Sequence, residues 1–200
     1  MHSVLNRNTF LVKEHVGMFK AANAYDVYDP ESGEIIIHCR EDNLGMITKM
    51  LRFTDYKTMT PFHVELNTPD GEPVLSVKRG IPNPLKFFLS AVDVLDEDGE
   101  RIGGFKQKMF SLGGAFRVLG ADDEEICQLK GKWTGWEFRF LAGENELAMV
   151  SKKWNGLGKE LFTSADNYVL QISEDVPPDN PIRELIMAAV MCIDMVLKER

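Results

Sequence analysis

The feature that most constrains the fold is an apolar run in the last stretch of the sequence, NPIRELIMAAVMCIDMVLKER. Leu185 to Ile193 follow one another without a charged residue, and a helix made from them has no polar face. Asn180 suits the N-cap and Pro181 the first helical position, so we expect a helix over about residues 182–197. A helix that is apolar all round must be surrounded by other apolar groups.

A membrane span and an enclosed helix are the two structures that such a run can form. The uncharged run rises only roughly 14 Å as a helix, whereas a bilayer core of about 30 Å requires roughly 20 apolar residues. Asp194 interrupts the run soon after. The length therefore favours an enclosed helix, and we expect no transmembrane span.

The chain before this helix has the pattern of consecutive β-hairpins. Clusters rich in Gly, Asp and Asn recur at 29–34, 68–73, 96–101, 120–125 and 142–146, and these residues favour turns. Between them we predict twelve strands, at about 9–15, 24–29, 35–41, 62–67, 73–79, 86–95, 101–109, 115–120, 125–133, 136–142, 146–154 and 167–173.

The alternation of residue types indicates one buried and one wet face on each strand. In EICQLKGKW, Ile126, Gln128 and Lys130 fall on one face, and Cys127 and Leu129 on the other. Antiparallel strands show this pattern, and a closed barrel leaves no sheet edge. We therefore predict a mainly β (α+β) fold, a closed twelve-stranded antiparallel β-barrel that encloses the hydrophobic C-terminal α-helix.

Two stretches depart from the strand pattern. Residues 43–53 and 156–162 are predicted to be short helical or irregular connections. No linker rich in Pro or Ser divides the chain, so residues 1–200 are predicted to form a single domain.

The charge distribution limits the class of partner. A net charge of -8 argues against a general nucleic-acid binder. Residues 101–159 nevertheless hold 10 Lys/Arg and 7 Asp/Glu, a net of +3, while the remaining residues have a net of -11. An anionic ligand is therefore expected to bind in the third quarter of the sequence.

Cysteine and histidine spacing gives no sign of a catalytic or metal site. Cys39, Cys127 and Cys192 lie far apart and form no C-x-x-C pair, which is typical of reduced thiols. His38 and Cys39 are strand neighbours and point to opposite faces. Because the start has no signal-peptide pattern, we expect a cytoplasmic protein. Because no catalytic or metal-binding motif is present, we expect that it is not an enzyme and has no cofactor.

The segment MVSKKWNGLGKELFTSADNYVLQI (149–172) closely resembles the signature stretch of the phospholipid scramblase family. The hairpins NAYDVYDPESGEIIIHCRED and PFHVELNTPDGEPVLSVKRG and the ending IMAAVMCIDMVLKE are also similar to that family. The residues in matching places are Lys152, Trp154, Gly156, Lys159, Glu160, Phe162, Thr163, Ala165, Asp166 and Asn167. The resemblance implies the barrel of the tubby C-terminal-like superfamily, which the LURP-one-related proteins share.

The sequence departs from the animal scramblases in two respects. Animal scramblases carry a Pro-rich extension and a palmitoylated cysteine cluster before the barrel, whereas the resemblance to the barrel begins here almost at the first residue. No palmitoyl anchor is therefore expected. Their proposed calcium loop begins with Asp, where this chain has Ser164 before Asp166. Calcium takes six to eight oxygen ligands, so we expect an ordinary loop-to-strand junction near Asp166, and a calcium site there is the alternative.

The candidate binding residues are lysines in the third quarter of the chain. Free backbone N–H groups at a helix start, with ammonium groups nearby, suit a phosphate, and WNGLGKE offers such a start without P-loop spacing. Tubby-like domains bind phosphoinositide headgroups through lysines. The predicted headgroup-binding residues are Lys130, Lys132, Lys152, Lys153 and Lys159. Each of them is alternatively a lysine on a solvated strand face.

Three tryptophans allow a similar pair of interpretations. Trp133 and Trp154 are predicted to pack inward, and the alternative is an anchor in the headgroup zone.

The resemblance implies a protein that binds anionic phospholipid or phosphoinositide headgroups at a membrane surface, linked to transbilayer lipid movement. The alternative is a soluble protein-interaction or scaffold module of the LURP-one-related type, without lipid transport. An enzyme with a pocket at the barrel rim is a third hypothesis.

Overall fold

The computed structural model describes residues 1–15, 24–41, 61–80, 91–107, 115–132, 136–152 and 167–193. A short 3₁₀ helix, η1 (Ser3–Asn6), is followed by twelve strands and one α-helix, α1 (Ile182–Cys192). The strands are β1 (Thr9–Glu14), β2 (Ala24–Tyr28), β3 (Ile35–Glu41), β4 (Phe62–Asn67), β5 (Pro73–Arg79), β6 (Ala91–Leu95), β7 (Arg101–Gln107), β8 (Phe116–Gly120), β9 (Glu125–Lys132), β10 (Glu137–Ala142), β11 (Asn145–Ser151) and β12 (Asn167–Ile172).

The twelve strands form a closed antiparallel barrel in which each strand pairs with its neighbours in sequence. The first and last strands close it, with Val12 opposite Tyr168 and Phe10 opposite Leu170. The predicted barrel and all twelve strands are confirmed. The predicted strand ends at 86–90, 108–109, 133 and 153–154 lie outside the described residues, and the described ends differ by one residue or two. The predicted connections at 43–53 and 156–162 lie outside the described residues.

The two ends of the barrel differ in how they connect the strands. At one end, the turn end, tight turns join β2–β3, β4–β5, β6–β7, β8–β9 and β10–β11. Left-handed backbone occurs in these turns at Gly33, Gly71, Gly99, Asp123 and Gly143, as the Gly- and Asp-rich clusters predict. At the opposite end, the connection end, lie the other strand termini, among them Glu14, Ala24, Glu41 and Phe62.

The helix α1 fills the barrel. Every residue from Ile182 to Ile193 is buried, and α1 packs against η1, β5, β7 and β12. Its start is capped as predicted, because the N–H of Ile182 donates to Asn180 Oδ1 at 3.0 Å and Pro181 has helical angles of φ -57° and ψ -20°. The predicted continuation to about residue 197 lies outside the described residues.

Arg183 attaches the helix to the barrel at the turn end. Its guanidinium is buried and donates five hydrogen bonds to uncharged acceptors in η1, in the segment after it and in the segment before α1. The acceptors are the carbonyl oxygens of Leu5, Arg7, Val176 and Pro177 and Oδ1 of Asn8, at 2.6–3.2 Å. Burial lowers the pKa of Arg183. The arginine thus joins the start of the chain to the segment that leads into α1, although the two are far apart in the sequence.

Candidate functional site

The outer wall of β7 to β10 carries several of the described arginines and lysines from residues 101–159. Lys106 lies opposite Arg117, and Lys130 lies opposite Arg139. Like charges directly opposite each other on a sheet are destabilising. These two cross-strand pairs therefore require compensation by nearby acidic groups or by a bound anion.

Carboxylates compensate three of these four cations. Arg139 donates to Glu137 and Glu146 at 2.7–3.0 Å, and the pKa of its guanidinium is raised as a result. Lys106 lies 3.5 Å from Asp123, and Arg117 lies 4.0 Å from Glu125.

Lys130 differs from these three cations. Its side chain is exposed on β9, and among the described residues no carboxylate lies within ion-pairing distance of its ammonium. With Arg139 opposite, Lys130 presents an uncompensated positive charge to solvent.

Lys152 follows β11 at the connection end and lies on the inward side of the wall, with Val150. Its ammonium lies 3.8 Å from the ring centroid of Trp136 and 5.2 Å from that of Tyr168. The backbone N–H of Lys152 donates to the Trp136 carbonyl at 3.3 Å. The two rings are 5.5 Å apart and tilted by 31°. Cation–π attraction holds the ammonium at the barrel rim.

Lys130 and Lys152 therefore do not share one surface. Lys130 points outward and Lys152 inward, on opposite sides of the same wall. Lys132, at the end of β9, pairs through its backbone with Glu137 on β10. Lys153, Lys159, Trp133, Trp154 and Asp166 lie outside the described residues. Of the residues between 101 and 159 that are described, seven are basic and seven acidic. The local excess of +3 thus comes from Lys108, Lys153 and Lys159.

Sequence reasoning missed a polar cluster on the outer wall of β1 to β3. Asp26 is buried there, and three donors surround its carboxylate: His15 Nε2 at 2.5 Å, His38 Nδ1 at 2.8 Å and Arg40 Nη2 at 2.5 Å. Burial alone would raise the pKa of Asp26, but the hydrogen bonds from His38, Arg40 and His15 outweigh it and the pKa is lowered. Alternation along AYDVY, which places Asp26 outward, is the signal that could have found this cluster.

A second polar group that the sequence did not mark is Glu184, in the first turn of α1. Its side chain is buried, and burial raises the pKa of its carboxyl. Within the described ranges, its Oε1 atom accepts no hydrogen bond. The Met1 amine lies 3.9 Å away.

The cysteines are placed as buried structural residues. Cys39, Cys127 and Cys192 are free thiols on β3, β9 and α1. Burial raises the pKa of Cys127 to about 12 and raises the pKa of the other two thiols as well. His38 and Cys39 point to opposite faces, as predicted. Within the described residues, no group of three His, Cys, Asp or Glu side chains is arranged to hold a metal ion.

Among the described helices, none has the length and apolar character that crossing a membrane requires.

A family model and two relatives name the same family. A family model described as Scramblase matches residues 3–200. Phospholipid scramblase 2 of Homo sapiens is 21% identical over 91% of this chain, and a phospholipid scramblase family protein of Schizosaccharomyces pombe is 23% identical over 98%. The Saccharomyces cerevisiae protein called altered inheritance rate of mitochondria protein 25 is 20% identical over 96% of this chain.

These alignments cover part of each relative, namely 62%, 56% and 67% of their respective lengths. A solved structure of an Arabidopsis thaliana protein superposes with a TM-score of 0.57 at 13% identity, covering 98% of this chain and 96% of that one. This structural likeness supports the barrel fold.

Proposed function

The chain belongs to the scramblase family, and from that premise we propose that it binds anionic phospholipid or phosphoinositide headgroups at a membrane surface, in a role linked to transbilayer lipid movement. The observation that supports headgroup binding most directly is Lys130, which is exposed, lies opposite Arg139 and has no ion pair within the described residues. Basic residues near an anionic leaflet are each worth about 1 kcal/mol of binding free energy.

The connection end is the part of the barrel that we propose faces the lipid. Lys152 lies there between Trp136 and Tyr168, and Trp and Tyr side chains favour the headgroup zone. The strand β11 ends there at Ser151, and Lys153 and Lys159 follow it in the sequence. Lys130 would contact headgroups from the outer wall, and Lys152 from the rim.

We propose that binding involves no covalent step, as expected for a protein that is not an enzyme. The three buried thiols support this part of the proposal, because burial keeps each of them protonated and out of contact with solvent.

The test is co-sedimentation with phosphatidylserine or phosphoinositide vesicles, with phosphatidylcholine vesicles as the neutral reference. Wild type is expected to bind the anionic vesicles only, and less strongly as salt is added. Lys130→Glu should weaken binding by roughly fivefold or more, since it removes one favourable charge and adds a repulsive one.

Arg7→Glu is the matched control, because it makes the same change of charge on an exposed side chain at the turn end, away from the proposed lipid-facing end. It should bind as wild type does. If wild type and a Lys152/Lys153/Lys159→Glu variant both ignore anionic vesicles, the proposal is wrong. Recovery of a stoichiometric protein partner in that case would favour the interaction-module alternative.

Lipid movement itself is proposed to avoid the barrel axis. The described interior is occupied by α1, whose residues from Leu185 to Ile193 are all apolar, and a charged headgroup requires a polar path through hydrocarbon. A dithionite-quench assay on reconstituted protein measures the movement. Loss of inner-leaflet signal beyond protein-free vesicles would support it, and no additional loss would remove it from the proposal.

A further inference from the structure

The outer wall of β1 to β3 places two imidazoles and a guanidinium around one buried carboxylate. The side chain of Asp26 is 6% exposed, whereas His15 and His38 are each 35% and Arg40 is 46% exposed. Arg40 is held in place by further hydrogen bonds to the carbonyls of Tyr25 and Cys39. The solvent-facing layer of this cluster is therefore made of nitrogen groups, with the carboxylate beneath them.

The hydrogen bonds to Asp26 determine which imidazole nitrogens carry hydrogen. An ionised carboxylate only accepts hydrogen bonds, so His15 Nε2 and His38 Nδ1 must both be N–H donors. Arg40 Nη2 and His38 Nδ1, 3.2 Å apart, then both donate to Asp26 Oδ1.

The remaining ring nitrogens are His15 Nδ1 and His38 Nε2. Each is a bare acceptor in a neutral ring and becomes an N–H donor in the imidazolium form. Protonation thus adds two positive charges and converts two acceptors into donors.

The charged neighbours of the cluster nearly cancel. On the outward register, Lys13 on β1 lies opposite Asp26, Glu65 on β4 lies opposite Arg40, Asn67 on β4 lies opposite His38, and Asn167 on β12 lies opposite Lys13. Tyr28 is two residues along β2 from Asp26, and Glu14 and Glu41 take the inward register opposite Tyr25 and Val64. Among the described residues, the four outward charges of Lys13, Asp26, Arg40 and Glu65 sum to zero, so two imidazolium rings add a charge of +2 to this part of the patch.

We propose that His15, His38 and Arg40 form a proton-linked binding site for tetrahedral oxyanions, of the sulfate or phosphodiester type. The site is on β1 to β3, whereas Lys130 is on β9 and Lys152 follows β11. The proposal does not depend on the proposed function. Oxyanion binding and proton uptake reinforce each other, because each stabilises the state that the other prefers. Asp26 keeps both rings in place in either protonation state.

Two probes that keep a constant charge over mildly acidic and neutral pH test the proposal. Inorganic sulfate represents a free oxyanion, and phosphatidylglycerol vesicles represent the same chemistry in a lipid. Binding of sulfate is followed by NMR shifts of the backbone amide resonances of β2 and β3, which every variant retains. The measurements are made at about pH 5.5 and about pH 8, which span the range in which imidazole changes its charge. We expect the apparent Kd for sulfate to be about tenfold lower at the acidic pH.

The His15→Gln/His38→Gln double variant separates the cluster from general charge effects. It should bind sulfate weakly and equally at both pH values, while His2→Gln, at the turn end beside Glu72, keeps the wild-type pH dependence. Circular dichroism at both pH values checks that each protein is folded.

Acid-strengthened binding of sulfate alone identifies a free oxyanion as the ligand, and the same behaviour with vesicles extends it to lipid phosphate. Equal sulfate affinity at both pH values in wild type, or a pH dependence that survives in the double variant, overturns the proposal.

Discussion

At the scale of single residues, polar groups in the interior hold together segments that are distant in the chain. Arg183 is 1% exposed and binds the carbonyl groups of Leu5 and Arg7 as well as those of Val176 and Pro177. All of its acceptors are uncharged. Each of its five N–H donors has one acceptor atom, so no donor of the guanidinium is left without a hydrogen bond. Arg183 therefore determines how the start of α1 is seated in the barrel.

Replacing Arg183 with Lys tests this role. An ammonium group has three donors where the guanidinium has five, and each buried acceptor left without a hydrogen bond costs about 1–3 kcal/mol. We expect Arg183→Lys to lower the free energy of unfolding by about 3 kcal/mol, measured by urea denaturation.

Arg139→Lys is the matched control, because Arg139 is a half-exposed arginine on the outer wall of β10. A surface substitution of this kind changes stability by about 0.5 kcal/mol or less. Equal effects of the two substitutions would contradict the proposed role of Arg183.

At the scale of elements, the contact between the barrel wall and α1 depends on the absence of a side chain at Gly103. A Cβ atom built at Gly103 would lie 2.9 Å from Leu185 Cδ2 on the helix, and closer still to the Leu119 carbonyl oxygen on β8. The glycine thus allows β7 to approach both its neighbour strand and the helix.

Gly103→Ala is expected to destabilise the protein by about 1–3 kcal/mol, the usual cost of overpacking a core. Thermal unfolding followed by circular dichroism measures the loss. Gly80→Ala is the control, because no atom lies within 4 Å of its Cβ position. A Gly103→Ala protein as stable as the Gly80→Ala protein would show that β7 and α1 can separate without penalty.

The elements themselves were predictable from the sequence, since alternation and turn residues are local signals. Cys127 and Leu129 face inward and Lys130 outward, as their order in β9 requires. The clusters around Asp26 and Arg183 were not predictable in this way. Asp26 meets His15 and His38 across two strand pairings, and Arg183 meets Leu5 from the other end of the chain. Such contacts depend on register and closure, which no single segment specifies.

The candidate lysines show the same limit. Alternation predicts that Lys130 faces outward, but the position of Lys152 depends on its pairing with the rings of Trp136 and Tyr168 across two strands. Sequence proximity grouped the two lysines, whereas the wall between them separates their side chains.

At the scale of the whole molecule, the barrel and its helix form one core. The side chains of Phe10, Ile37, Leu66, Phe138 and Ile186 are all buried in the same cluster. A sheet of twelve strands closed around an empty space would lose these contacts on every inward face. Barrel and helix are therefore expected to unfold together.

A graded series tests this dependence. Ile186→Ala, in the middle of α1, should cost about 2–5 kcal/mol, and a chain that ends at Asn180 should show no cooperative unfolding transition in calorimetry. A compact truncated chain with dispersed NMR resonances and a cooperative transition would show that the strands do not require the helix.

The order of the elements along the chain has a consequence for how the protein is made. The helix follows all twelve strands, so a ribosome releases the segment that occupies the centre of the molecule only after everything that surrounds it. Domains usually acquire structure as they emerge during synthesis, but here the nascent strands have nothing to close around, and β1 has to wait for β12. Until the final turns of helix leave the exit tunnel, the inward-facing Phe, Val and Leu side chains remain available to chaperones.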